Sequence, residues 1–277
     1  VVRGGGLRGI DYAVPVASAQ VKGAILLAGL AADGPTTVRE ATPTRAHTEE
    51  MLVAAGARVE RSEGAVTVWP GPVKAGEVAV PGDPSQAAFW VVAATLVPGS
   101  DLLLPDIYVG PGRAGFLDVL QRMGADITVE RRGAGSETAD LRIRHAPLRA
   151  TRVEGAEVPS LIDEIPVLAV AAAYANGVTT FADAEELKVK ESDRIASVSA
   201  ALRSVGASVE PQPDGLVVEG RAQPLPGGPV ESVGDHRVAM SMAVAALAGR
   251  GPVPVEGWES VATSYPAFEQ DLTRCVS

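Results

Sequence analysis

The chain has 277 residues, 46% hydrophobic but only 4% aromatic, with 30 glycines and 21 prolines. It is long enough to bury a substantial core in one or two domains, and its composition is that of a compact α/β or α+β protein with many tight connections. A net charge of −10 argues against a basic nucleic-acid surface, and the single cysteine, Cys275, excludes an internal disulfide and fits a reducing compartment, the cytoplasm.

The start, V-V-R-G-G-G, has no signal-peptide shape and no initiator Met, which suggests a fragment or a processed chain. From Ser18, S-A-Q-V-K-G-A-I-L-L-A-G-L predicts an apolar helix, followed past Gly34 by a β-rich T-T-V. T-P-T-R-A-H-T-E-E-M-L then leads into an amphipathic helix that ends before G-A-R-V at Gly56, where two strands joined by a turn are expected. The plan returns from Ser85 (S-Q-A-A-F-W-V-V-A-A-T-L, then F-L-D-V-L-Q-R-M and G-A-D-I at Gly124). It returns again from Asp163 (D-E-I-P-V-L-A-V-A-A-A-Y, then I-A-S-V-S-A-A-L-R-S-V and G-A-S-V at Gly206). A fourth copy opens at His236 with H-R-V-A-M-S-M-A-V-A-A-L and stops after P-A-F-E-Q-D-L-T-R-C, without closing strands; a segment upstream of Val1 is expected to supply them. The unit is helix, strand, helix, strand, strand over about 70 residues, a repeat period. A helix apolar all round must be buried on all sides, so four buried helices with sheets outside are expected. The apolar run at 87–97 is too short to span a membrane.

Each apolar helix opens on polar residues: Ser18 and Gln20; Asp83 and Ser85; Asp163 and Glu164; Asp235, His236 and Arg237. Ser18, Ser85 and Asp163 read as N-caps, worth about 1 kcal/mol each, and His236 as a hydrogen-bonded structural histidine. Arg237 opposes the helix dipole and calls for an anionic partner, either Asp235 or a ligand. Parallel buried helices would converge their positive ends on one surface suited to phosphates and carboxylates. The charge-dense stretch A-E-E-L-K-V-K-E-S-D-R-I at 184–195 reads by itself as a solvated helix start with Glu191 and Arg194 paired at i,i+3. In the third repeat, however, it falls at the same end as Asp163. There Lys190 and Arg194 add cations, and Glu191 and Asp163 supply carboxylates for proton transfer. Its counterpart in the first repeat contains Thr44, which could cap a helix or hold a phosphate.

S-A-Q-V-K, T-R-A-H-T-E-E-M-L, G-D-P-S-Q-A-A-F-W, S-L-I-D-E-I-P, K-V-K-E-S-D-R and G-D-H-R-V-A-M, in that order along nearly the whole chain, resemble the 5-enolpyruvylshikimate-3-phosphate synthase family. The resemblance implies an α+β fold: two domains of three βαβαββ units around buried parallel helices, an inside-out α/β barrel. Residues 1–81 would be the last unit of an otherwise missing domain. Residues 82–277 would be a second domain of three units, the last lacking its closing strands. The implied reaction joins phosphoenolpyruvate to shikimate-3-phosphate: the 5-hydroxyl attacks C2 while C3 is protonated, and the tetrahedral intermediate loses phosphate. Catalytic roles fall on Asp163, at the 5-hydroxyl, and on Glu191, the proton carrier at C3. Gln20, Arg194 and Arg237 would bind phosphoenolpyruvate; Ser18, Ala19, Gln20, Thr44, Asp163 and Lys190 would bind shikimate-3-phosphate.

No metal or organic cofactor is implied, nor a nucleic-acid or membrane partner, and a monomer in the cytoplasm is expected. The family's N-terminal portion, with part of the site, is absent, so this polypeptide alone is expected to lack turnover. G-P-G-R-A-G at 110–115 stands where N-P-T-R-T-G is usual, Ala46 where an aspartate is common, and Thr263 where some relatives carry a lysine. The competing readings are the sister enolpyruvyl transferase acting on UDP-N-acetylglucosamine, whose loop cysteine Cys275 is badly placed to supply, and a non-catalytic binding module.

Overall fold

The computed structural model describes the chain apart from residues 1–3, 16, 17, 75, 111, 132, 134–136 and 277. It divides into two compact units, Val1–Val80 and Pro81–Ser277.

The first unit runs β1 (Asp11–Ala13), α1 (Ala19–Gly29), β2 (Thr36–Arg39), α2 (His47–Ala54), β3 (Val59–Ser62) and β4 (Ala65–Val68). Its sheet has the order β1-β2-β4-β3, with β1 parallel to β2 and the other pairs antiparallel. Leu26, Val38, Leu52, Val66 and Val68 form its core. The expectation that the first apolar helix is buried all round fails here. Lys22, Gly23, Leu26 and Gly29 of α1 are buried, while Leu27 is 55% and Val21 38% exposed. Within this unit one sheet and one helix can cover only one side of α1.

The second unit continues with α3 (Pro84–Leu96), β5 (Asp101–Tyr108), α4 (Gly115–Met123), β6 (Asp126–Arg131), β7 (Thr138–Arg144), β8 (Arg152–Val153), α5 (Ile165–Tyr174), β9 (Asn176–Phe181), α6 (Arg194–Ser204), β10 (Ser208–Gln212), β11 (Gly215–Arg221), β12 (Val230–Glu231), α7 (His236–Ala248), β13 (Val255–Glu256) and α8 (Phe268–Val276). The sheet order of the first unit recurs as β8-β9-β11-β10. It recurs again as β5-β7-β6, where a parallel bridge from Gly82 to Ile107 stands for the first strand. In the last repeat β12 pairs parallel with β13, and no strand follows α8 among the described residues. The βαβαββ plan is therefore a repeated sheet order as well as a repeated sequence.

The layers follow from side-chain pattern. On β7, Ala139, Leu141 and Ile143 are buried and alternate with more open polar positions, so one sheet face packs inward and the other meets water. Helices α3, α5 and α7 pack on one another inside those sheets. Every α5 residue from Ile165 to Ala173 is buried, and its alanines allow close helix approach. At Gly220 of β11 a Cβ would lie 2.2 Å from the carbonyl oxygen of Ala172, so only glycine lets this strand cross the end of α5. Gly56, Gly124 and Gly206, the repeated G-A-x-V glycines, all have positive φ (83°, 104° and 92°) and end the amphipathic helices. Helix α8 is anchored by Phe268, whose ring lies among those of Phe89, Trp90, Trp258 and Tyr265 at centroid distances of 5.3–6.2 Å.

Candidate active site

The first turns of α3, α5 and α7 meet. The Ser85 hydroxyl donates to Glu164 Oε1 at 2.5 Å. Arg237 Nη1 donates to the Asp163 carbonyl at 2.9 Å and lies 3.5 Å from Glu164 Oε1. Three helices that start together and pack side by side run the same way, so their positive ends face one place.

Asp163 sits in a short 3-10 turn, Ile162–Glu164, directly before α5. Its Oδ1 accepts from Arg194 Nη1 at 3.2 Å and lies 3.4 Å from Lys190 Nζ. Arg194, the first residue of α6, is 1% exposed. It donates through Nη2 to Glu191 at 2.6 Å and through Nε to Asp235 at 2.9 Å. The i,i+3 pair foreseen between Glu191 and Arg194 thus forms, but with a buried arginine. Lys190 also reaches Glu186, at 2.6 Å. The structure brings Asp163, Lys190, Glu191, Arg194 and Arg237 into one connected cluster, with Asp235, Glu164, Ser85 and Arg113 behind it.

Several local readings need correction. The cap of α3 is Asp83, accepting from the backbone N–H of Ser85, and the Ser85 hydroxyl is spent on Glu164. Asp163 is not a cap, because α5 begins at Ile165 and its preceding residue makes no side-chain cap. Asp235 does cap α7 through the backbone N–H of Arg237, but its carboxylate pairs with Arg194; the Arg237 side chain turns to Asp163 and Glu164. Residues i and i+2 at a helix start do not share a face, so sequence neighbours are not the partners. His236 makes no side-chain hydrogen bond among the described residues.

The electrostatics follow the geometry. Burial pushes the Asp163 carboxyl up, but Arg237, Lys190 and Arg194 outweigh it and hold the group below its ordinary value. Burial likewise raises Asp235, and hydrogen bonding and charge from Arg194 more than reverse it. Glu164 goes the other way: burial dominates and raises it against the pull of Arg237 and Ser85. Burial and the neighbouring Arg237 lower His236. One carboxyl is thus held ionised beside another made easier to protonate.

Ser18, Ala19, Gln20 and Thr44 lie in the first unit. Ser18 caps α1, accepting from the Val21 N–H at 3.3 Å, and Gln20 is exposed. Thr44 neither caps α2, whose N-cap Ala46 makes no side-chain bond, nor points free: its hydroxyl donates to Glu40 Oε1. Glu40 and Glu49 share Lys22 Nζ at 2.8 and 2.9 Å, and all three side chains are at most 8% exposed. Sequence reasoning passed over Lys22 and its two glutamates, although a lysine inside an otherwise apolar run is a signal. It also passed over Arg113, which donates to Asp83 at 3.0 Å and to Ser85 Oγ at 2.9 Å. Arg113 stands two residues before the second helix of its repeat, as Arg45 does in the first, whereas Arg194 is itself the first residue of that helix in the third. Pro111, in the same G-P-G-R-A-G segment, lies outside the described residues.

The fold is that of the enolpyruvyl transferases: NikO of Streptomyces tendae, an enolpyruvyl transferase, superposes with a TM-score of 0.70 at 23% identity over 90% of this chain and 57% of its own. The profile of the EPSP synthase (3-phosphoshikimate 1-carboxyvinyltransferase) family matches residues 1–272, and the chain belongs to that family. A 3-phosphoshikimate 1-carboxyvinyltransferase of Desulforudis audaxviator is 52% identical over 274 residues, 98% of this chain and 64% of the relative. EPSP synthase of Acinetobacter baumannii superposes with a TM-score of 0.89 at 42% identity, over 98% of this chain and 63% of that structure. The chain thus spans a little under two thirds of the length of these relatives.

Proposed function

We propose that this chain carries the C-terminal part of a 3-phosphoshikimate 1-carboxyvinyltransferase, transferring the enolpyruvyl group of phosphoenolpyruvate to the 5-hydroxyl of shikimate-3-phosphate and releasing phosphate. Arg194 and Arg237 hold the carboxylate and phosphate of phosphoenolpyruvate, with Gln20. Glu191, half exposed and tied to Arg194, carries the proton to and from C3. Asp163, kept ionised by three cations, receives the 5-hydroxyl, and Lys190 beside it meets the shikimate frame. Ser18, Ala19 and Thr44 hold the shikimate phosphate. Fixed cations suit two multiply charged substrates, and an enol ether needs an acid set at one carbon.

In the free chain Arg194 is saturated by Glu191, Asp163 and Asp235. Substrate anions would take over from Glu191, the most exposed of the three, and leave it free to move a proton. We place the reaction in the cytoplasm and the working protein as a monomer.

What carries the reading is the meeting of Asp163, Lys190, Glu191, Arg194 and Arg237, from two repeats, in a chain of this family. The test is to join to this chain the part of the D. audaxviator relative that it does not span and to follow phosphate release. Release that needs both substrates and disappears in Glu191→Gln supports the assignment. Release with UDP-N-acetylglucosamine instead, or none from a folded fusion, overturns it.

A further inference from the structure

Behind the cluster that meets the substrates lies a second layer. Glu164 is 4% exposed and Ser85 2%, and a single oxygen, Glu164 Oε1, takes both the Ser85 hydroxyl at 2.5 Å and Arg237 Nη1 at 3.5 Å. Arg113 locks Ser85 from the other side at 2.9 Å. A carboxylate buried this deeply is tolerated only with a partner, and Arg237 is the cation in contact with it. Arg237 is also the proposed ligand of an incoming anion. The two negative groups would then compete for one guanidinium that is itself only 15% exposed.

We propose that Glu164 is a positioning residue for the anion site: an internal counter-ion that holds Arg237 while the site is empty and takes up a proton from solvent when an anion binds there. The proposal rests on reading Arg237 as an anion ligand. In the free site Arg237 neutralises Glu164. An arriving anion draws that charge away and adds its own, so the carboxylate becomes costlier and the carboxylic acid is favoured. The proton sits on Oε1 or Oε2. On Oε1 it can be donated to Ser85 Oγ along the existing contact, reversing the direction of that hydrogen bond without moving a heavy atom.

The other charged groups facing Glu164 fit this assignment. They are Asp163 on its own turn, Arg237 on α7, and Arg113 before α4. Asp163 is held ionised by its cations and titrates at lower pH. His236, beside Arg237, is a second group that can accept a proton there, and burial and Arg237 lower it. Burial raises Glu164 in the free protein, so its carboxyl already starts part of the way.

The experiment uses sulfate, a dianion that does not titrate near neutrality, in calorimetric titrations of this chain between pH 5 and 8. Buffers of different ionisation enthalpy give the number of protons taken up. The expected result is uptake of a fraction of one proton per sulfate, lost in Glu164→Gln, retained in His236→Gln, and displaced to higher pH in Ser85→Ala, where the carboxylate loses its hydroxyl donor. Sulfate affinity should rise several-fold from pH 8 to pH 5 in the native chain and stay flat in Glu164→Gln. Uptake unchanged in Glu164→Gln, or lost in His236→Gln, overturns the proposal while leaving the anion site standing. Sulfate that fails to bind, or binds equally well to Arg237→Ala, overturns both this proposal and the reading of Arg237. Should Glu164→Gln fail to fold, the displacement in Ser85→Ala decides: no displacement refutes the coupling.

Discussion

Asp235 is the residue whose loss should cost the second unit most. It is fully buried and accepts from Arg194 Nε at 2.9 Å, Ser192 Oγ at 3.0 Å and the Arg237 backbone N–H at 2.9 Å. Asp235→Ala removes a helix cap, worth about 1 kcal/mol, and one arm of a buried ion pair, where breaking a pair costs about 3–5 kcal/mol. Arg194 keeps Glu191 at 2.6 Å and Asp163 at 3.2 Å, so the ionic part belongs at the low end of that range. The sum is about 4 kcal/mol. Asp235→Asn keeps the cap and should cost about 3 kcal/mol. With a urea slope of about 2–3 kcal/mol per molar, Ala should lower the unfolding midpoint by about 1.5 M, followed by the fluorescence of Trp90 and Trp258. A loss below about 1 kcal/mol would show that Asp235 does not anchor Arg194, and Asn as damaging as Ala would show that its cap on α7 contributes nothing.

Arg237→Ala should weaken phosphoenolpyruvate binding at least about tenfold by calorimetry, since a charged hydrogen bond is worth about 1.5–3 kcal/mol. Its urea midpoint should shift little, because Glu164 can take a proton once its cation is gone. Lys22→Met leaves Glu40 and Glu49 buried without a cation and should destabilise the first unit by about 3–5 kcal/mol. Thermal unfolding followed through Trp69 would check this, and Lys22→Met with Glu49→Gln should recover part of the loss. Gly124→Ala places a Cβ at φ 104° and should cost about 1–3 kcal/mol in the same urea assay. Asp163 and Asp235 are both held below the ordinary 3.8. Such depressed carboxyls contribute stability that is full above their unfolded value and lost as pH falls through the folded one. Their share of the unfolding free energy should therefore be level above about pH 5 and drop below about pH 4, with a shallower drop in Asp235→Asn.

The repeat was legible because two independent marks agree in register: apolar runs that open on polar residues, and G-A-x-V glycines whose positive φ ends a helix. Pattern alone could not say which apolar helix would find cover on every side. The run at α1 reads like those at α3 and α5, yet Leu27 is open to water because burial depends on neighbours the pattern does not name. Partner choice was equally hidden. Asp235 is two residues from Arg237 in sequence, but helix geometry turns Arg237 toward α5 and leaves Asp235 to an arginine 41 residues upstream. The stretch at 184–195 looked like a solvated face and proved to carry a buried guanidinium, since solvation is decided by tertiary contacts. Lys22 is the mirror case: an apolar run concealed a cation that two glutamates from later elements make stable.

The central claim is that separate repeats bring Arg194 and Arg237 together to receive one anionic substrate. Its most direct measurement is the arginine Nε–H NMR spectrum of this chain titrated with phosphoenolpyruvate. Both resonances should shift along one saturable curve, and Arg237→Ala should move the shift at Arg194 to at least about tenfold higher phosphoenolpyruvate concentration. Shifts confined to other arginines, or two unrelated curves, would contradict the account.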